Sequence, residues 1–356
     1  MAGISEIYPS DRRSLAEVDT LLAAEGIRRD PHLDYICALR DDDGTIIATG
    51  SAYKSTLRCF AVSGEHQGEG LLGTVLSHLM EHELMRGYAS VSLYTKPKSA
   101  KFFGDLGFYE IARVDGLVFM ENEREGFSNC LARFEQETAT FCTEKNIARP
   151  AVSQTAAIVM NANPFTLGHR ALVERAAHEN ALIHLFLVSE DASFFPYRVR
   201  KELVQAGIAD FKNVVLHASG PYIISSATFP SYFLKDAATV SRTHAALDIA
   251  VFERIAKALC IGSRYIGEEP FSETTAIYND VMQEALPKSG IACIVVPRYE
   301  VRGQAVSASD VRERLKEEDF ASIQELVPEG TLKFLESEEA RPIIKQLKAT
   351  EDVRHY

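Results

Sequence analysis

Residues 159–170, Val159-Met-Asn-Ala-Asn-Pro-Phe-Thr-Leu-Gly-His-Arg170, decide the fold of the larger part of this chain. An apolar run, Ala156-Ala-Ile-Val-Met160, leads into the stretch and reads as a short buried strand. Ala171-Leu-Val-Glu-Arg-Ala-Ala177 follows, with helix formers and apolar residues at helical spacing. The stretch is therefore a strand-to-helix turn. In an open parallel sheet such a turn lies at the carboxyl end of a strand, where ligands bind. Pro164 fixes one backbone angle, and Gly168 lets the chain pass close to a neighbour. Thr166 and His169 are three apart, so both can face the helix N-terminus. That end offers free N–H groups and a positive dipole to a phosphate. A histidine beside it can donate to a phosphoryl oxygen as negative charge builds up.

Downstream of this turn, further strand-like runs stand at 183–188, 214–217, 263–267 and 291–296, separated by helical patterns. The alternation predicts βαβ units and a parallel sheet over residues 151–356. Two other clusters in this region suit an anionic ligand. Arg198, Arg200 and Lys201 gather at the start of a helix in a chain that is acidic overall, and are candidate triphosphate ligands. Val306-Ser-Ala-Ser-Asp-Val-Arg312 opens another helix. Its hydroxyls and free N–H groups can wrap a phosphate, with Ser309 as the expected N-cap and Arg312 one turn in.

Upstream, residues 1–125 read as a separate unit and 126–150 as a linking helix ended by Pro150. Ser14–Ala24 is a predicted helix. Tyr35–Arg40 and Thr45–Gly50 are predicted strands joined by the turn Asp41-Asp-Asp-Gly44, and Thr56–Val62 is a third. Ser63-Gly-Glu-His-Gln-Gly-Glu-Gly-Leu-Leu-Gly73 then leads into a helix through about Met85. A Gly-rich turn between strand and helix has the geometry of a pyrophosphate cradle.

Composition narrows the function classes. The chain has 356 residues, 46% of them hydrophobic, and no apolar run of membrane-spanning length. A formal net charge of -12 argues against a nucleic-acid partner. The N-terminus lacks the pattern of a signal peptide. The six cysteines are scattered, without zinc or redox spacing, and are expected to be reduced thiols of a cytoplasmic protein.

Three resemblances sharpen this reading. Thr166-Leu-Gly-His169 resembles the (His/Thr)-x-Gly-His signature of the nucleotidyltransferase superfamily, and Val306–Arg312 resembles its Ile-Ser-Ser-Thr-x-x-Arg motif. Asn163 stands where the superfamily often has Asp. Gln67 and Gly70 resemble the acetyl-CoA loop, (Gln/Arg)-x-x-Gly-x-(Gly/Ala), of the GNAT acetyltransferase family, with Leu72 departing at the last position, and Ser99–Tyr109 resembles that family's later helix and strand start. Ile224-Ser-Ser-Ala-Thr-Phe-Pro-Ser-Tyr-Phe-Leu-Lys235 and Gly267-Glu-Glu-Pro270, taken with the N-terminal unit, resemble the citrate lyase ligase family over nearly the whole chain.

The fold implied is α/β: a GNAT-like α+β domain over 1–125, then a Rossmann-like nucleotidyltransferase domain over 151–356. The activity implied is that of an acid–thiol ligase. ATP and acetate would give acetyl-adenylate and pyrophosphate. The thiol of a dephospho-CoA-derived prosthetic group on the citrate lyase acyl carrier subunit would then take the acetyl group. His169 and Thr166 would act at the α-phosphate. Ser307, Ser309 and Arg312 would hold the β and γ phosphates, with Asn163, Gly168, Arg198, Arg200, Lys201 and Gly267 also lining the nucleotide site. Mg²⁺ would arrive with the triphosphate, with no protein metal ligands. Gln67, Gly68 and Gly70 would dock the prosthetic arm. Two other readings stay open at this point: a bifunctional acetyltransferase and nucleotidyltransferase of cofactor synthesis, or a nucleotide-binding regulator without turnover.

Overall fold

The computed structural model describes residues 3–223, 229, 232, 236–269 and 273–350. Most of the stretch 224–235 and Pro270 therefore lie outside the described residues. By main-chain proximity the chain forms two compact units, Met1–Ser128 with Pro230–Thr243, and Asn129–Phe229 with His244–Tyr356.

The first unit carries β1 (Ile4–Glu6), α1 (Arg12–Ala24), β2 (Tyr35–Arg40), β3 (Ile46–Tyr53), β4 (Thr56–Val62), α2 (Leu71–Met85), β5 (Ser92–Thr95), α3 (Pro97–Asp105), β6 (Tyr109–Val114) and β7 (Leu117–Glu121). The sheet order is β1-β2-β3-β4-β5-β7-β6. It is antiparallel except at β4–β5, where the strands run parallel. This is the α+β sheet expected of the GNAT-like unit. Leu39, Ile47, Leu57 and Leu93 of the strands meet Val75, Leu76 and Leu79 of α2 in one core. Gly50 is required there, because a Cβ would lie 2.6 Å from a Val75 methyl. The helix α2 can press on β3 only where the strand has no side chain.

The long helix α4 (Gly126–Lys145) leads to the second unit. That unit runs through β8 (Thr155–Met160), α5 (Leu167–Glu179), β9 (Leu182–Leu187), α6 (Tyr197–Gly207), β10 (Val214–Ala218), the part of α7 (Ala237–Leu259) from His244 on, β11 (Ser263–Gly267), α8 (Glu273–Ala285), β12 (Ala292–Val296) and α9 (Ala308–Lys316). Short helices at Phe320–Ile323, Glu329–Leu335 and Arg341–Ala349 close the chain.

Its sheet is parallel throughout, in the order β10-β9-β8-β11-β12. This is the Rossmann-like arrangement expected. The chain winds outward from β8 to β9 and β10, then returns to the other side of β8 with β11 and β12. Strand order therefore reverses between β8 and β11, and the crevice at their carboxyl ends is where such sheets bind ligands. Alternate residues Ile183, Leu185 and Leu187 of β9 join Val173, Leu203 and Val311 in the main core. A sheet covered on both faces reads in sequence as continuous apolar runs, which is why these strands were legible.

Candidate active site

The turn after β8 places Thr166 at the N-cap of α5 and His169 at its third helical position. Thr166 Oγ1 accepts the His169 N–H at 3.3 Å, and the Thr166 N–H donates to His169 Nδ1 at 3.1 Å. The pair is a capping box in which an imidazole replaces the usual Glu or Gln. The consequence is chemical. To accept, Nδ1 must keep its lone pair, so the ring proton sits on Nε2. The helix cap thus sets the tautomer of a histidine at the mouth of the crevice.

Three features hold that ring neutral and still. Burial, aided by the charges of Arg298 and Arg312, lowers its pKa from 6.5 to about 4. Its face stacks on Phe165, with centroids 5.7 Å apart and planes 17° from parallel. Phe165 is itself completely buried and lies against Gly207 of α6, where a Cβ would sit 2.3 Å from the phenyl ring. Gly207 thus lets the aromatic floor beneath His169 sink to its observed depth.

The second motif is brought to the same place. Ser307 caps α9, its Oγ accepting the Asp310 N–H at 3.0 Å. The sequence pointed to Ser309 as the cap. The helix begins two residues earlier than that, at Ala308, so Ser307 takes the cap and Ser309 lies in the first turn. Ser309 Oγ instead accepts from Arg312 at 3.1 Å. Arg312, only 2% exposed, also donates to the Asn163 carbonyl at 2.6 Å. One guanidinium therefore joins α9 to the turn after β8, across 149 residues of sequence. Gly168 seals the junction. A Cβ there would stand 3.1 Å from the Val306 carbonyl oxygen.

The remaining predicted residues fall in several places. Asn163 is buried, and its side-chain oxygen accepts the Phe195 N–H at 3.1 Å. Arg200 is completely buried and donates to five acceptors. These are the carbonyls of Phe195, Asn161, Val188 and Glu190, and the Asn161 side chain, at 2.7–2.9 Å. All three guanidinium nitrogens thus find acceptors, Nη1 sharing its hydrogens among three, which compensates the burial of a charge. Arg198 and Lys201 are exposed, and Arg198 pairs with Glu202 at 2.8 Å. Gly267 ends β11, with its carbonyl held by Asn279 at 3.0 Å.

Arg298 went unnoticed in the sequence. It follows β12, donates to the Glu268 carbonyl at 2.6 Å and pairs with Glu269. Its position directly after an apolar strand run, like that of the turn after β8, was the available signal.

In the first unit, Gln67, Gly68 and Gly70 lie exposed on the turn that follows β4. Gly68 and Gly70 take φ of +94° and +77°, and a Cβ at either would meet nothing within 4 Å. The turn needs glycine for its path, and the space around both glycines is open. Gly70 caps α2 without any side-chain hydrogen bond, so the first N–H groups of that helix lack a side-chain cap.

Comparison with known proteins follows the same lines. Residues 155–335 match the family described as "Citrate lyase ligase C-terminal domain". The chain is 40% identical over 296 residues to [Citrate [pro-3S]-lyase] ligase of Klebsiella pneumoniae, covering 82% of this chain and 83% of that one. It belongs to the citrate lyase ligase family. The ligase named for Haemophilus influenzae is 33% identical over 93% of this chain and 98% of its own length. Among solved structures, Escherichia coli ElaA has 17% identity and a TM-score of 0.30, and the match covers 35% of this chain and 100% of that one. Among the described residues of this ligase, no helix is long and apolar enough to cross a membrane.

The capping geometry generates one prediction. Protonating His169 must break its bond from the Thr166 N–H and place a charge near Arg298 and Arg312. Its folded-state pKa is lowered, so its contribution to stability is present above 6.5 and declines as pH falls towards 4. Histidine NMR of the ligand-free protein should show the His169 ring neutral, with the proton on Nε2, throughout the range from 8 to 5. A ring titrating near 6.5 would mean that the cap does not control it.

Proposed function

We propose that this ligase joins acetate to the thiol of the dephospho-CoA-derived group on the citrate lyase acyl carrier subunit, in two steps that use the two units differently. Residues 151–356 form the adenylating domain, residues 1–125 dock the prosthetic arm, and the helix within 126–150 links them. The observation that carries the reading is the His169 capping box, set at the strand reversal and tied by Arg312 to the second phosphate-binding turn. Family membership supports the overall reaction. It leaves the alternatives of cofactor synthesis and of a non-catalytic regulator unfavoured.

In the first step an acetate oxygen attacks the α-phosphorus of ATP. The bond from that phosphorus to the bridging oxygen breaks, and pyrophosphate leaves. His169 donates from Nε2 to a phosphoryl oxygen as charge grows there. It loses no proton, so it serves as an electrostatic stabiliser. Thr166 holds the ring and contributes the helix N-terminus. Ser307, Ser309 and the start of α9 hold the β and γ phosphates, with Arg312 fixing the frame and Arg298 adding positive charge. Arg200 supports the loops from within. Arg198 and Lys201 supply outer charge to an incoming nucleotide. Mg²⁺ travels on the triphosphate, held by phosphate oxygens and water. In the second step the thiol sulfur attacks the acetyl carbonyl carbon, the bond to AMP breaks, and the thiol proton passes to solvent.

His169→Ala should lower acetate-dependent pyrophosphate release by about 10²–10³-fold, with little change in the KM for ATP. Release at a near-normal rate would remove His169 from the reaction. A variant in the first unit separates the two steps. Gln67→Glu places a carboxylate on the exposed turn, where a pyrophosphate would be repelled. Acetate-dependent pyrophosphate release should be unaffected, while the KM for the carrier rises severalfold. Equal carrier kinetics in variant and parent would move arm docking away from this turn.

A further inference from the structure

His169 rests on a floor that its own neighbour in the chain holds down. The imidazole stacks on Phe165, and Phe165 meets α6 at Gly207, the last residue of that helix. A helix ends in carbonyls that lack intrahelical partners, and a cation is favoured beside them. Arg170 supplies the cation. One residue past His169 on α5, it donates from Nη1 to the Gly207 carbonyl. Nη1 also reaches Asp210 Oδ1 at 2.9 Å, and Nη2 reaches Oδ2 at 2.7 Å. The guanidinium thus grips one carboxylate with two prongs, just past the helix end. It lies over the Phe211 ring as well, 4.9 Å from the centroid. The start of α5 is fixed from elsewhere, because the Leu167 N–H donates to the Leu326 carbonyl at 2.9 Å.

This pair does little for folding. The Arg170 side chain is 27% exposed and that of Asp210 61%, and an ion pair so placed adds little stability. Its effect is geometric. Gly207 has no side chain where Phe165 lies, so the place of the phenyl ring depends on how closely the end of α6 stands to α5. The bond from Arg170 to the Gly207 carbonyl sets that distance. The contacts close a loop. Arg170 holds Gly207, Gly207 backs Phe165, Phe165 lies under His169, and the peptide bond leads from His169 back to Arg170.

We infer that Arg170 is a positioning residue for adenylation: anchored by Asp210, it draws the end of α6 against Phe165 and keeps that ring under the His169 imidazole. The inference deepens the proposed role of His169 and rests on it. Arg170 itself touches no reacting atom. When the clamp is open, Phe165 recedes, water reaches the face of the imidazole, and the ring can take up a proton. A protonated Nδ1 cannot accept the Thr166 N–H, so the cap opens and the Nε2 donor loses its aim. The charged groups that face the ring, Arg298 after β12 and Arg312 on α9, oppose that proton and stay where they are. Opening the clamp therefore relieves only the burial of the ring, and its pKa moves up from about 4 without regaining 6.5.

Arg170→Ala in the full chain tests the clamp by two readouts. Histidine NMR of the ligand-free variant should find the His169 midpoint raised to about 5 or above. Acetate-dependent pyrophosphate release should lose about tenfold in kcat, with the KM for ATP unchanged. Arg170→Lys keeps a charge but not the planar fork, and should fall between variant and parent in both readouts. A merely structural role would lower the melting temperature and move neither. If His169 titrates and pyrophosphate is released as in the parent, the clamp is overturned and the role of His169 stands. A raised midpoint with a parental rate would overturn the role of His169, and with it the inference. A lowered rate with an unmoved midpoint would place the effect of Arg170 elsewhere and overturn the inference alone. If Arg170→Ala does not fold, Asp210→Asn removes the anchoring charge instead, and the same two readouts decide.

Discussion

The hydrogen bond from Arg312 to the Asn163 carbonyl is the contact on which the candidate site depends. In the proposed site two helix starts, joined by a contact that spans 149 residues of sequence, present their N–H groups to one anion. Nothing local brings them together. A buried guanidinium does so because it cannot lose its charge and must find acceptors where it lies. It finds them in the Asn163 carbonyl and the Ser309 hydroxyl, one from each motif. Arg200 plays the matching part on the other side of the turn, gathering the chain after β8 and β9 through five acceptors. Two buried arginines thus hold in place a turn that carries almost no regular structure.

On that frame the capping box does double service. A helix cap ordinarily satisfies orphan donors and does little else. Here the capping side chain at the third position is an imidazole, so the same bond that ends the helix also fixes a tautomer. The Phe165 ring, bedded against Gly207, removes water from one face and favours the neutral form. A donor held in this way needs no reorganisation when charge develops opposite it, which is how such groups lower a barrier.

The parallel sheet was legible because its strands are apolar on both faces, and the first turn because Thr166 and His169 stand three apart between a strand and a helix. What the sequence could not convey was distance in space. Arg200 and Lys201 look alike on paper, yet one is buried and the other exposed. The difference lies in which helix face meets the loops, a matter of tertiary packing. Ser307 and Ser309 both suit a cap, and a shift of the helix start by two residues decides between them.

In the proposed reaction acetate attacks the α-phosphorus beside His169. Acetate labelled with heavy oxygen tests it directly. An oxygen of acetate would bridge carbon and phosphorus in the adenylate and leave with AMP when the thiol attacks carbon. Mass spectrometry of the products should find one labelled oxygen in AMP per turnover and none in pyrophosphate. Label in a β- or γ-derived phosphate, with unlabelled AMP, would contradict attack at the α-phosphorus.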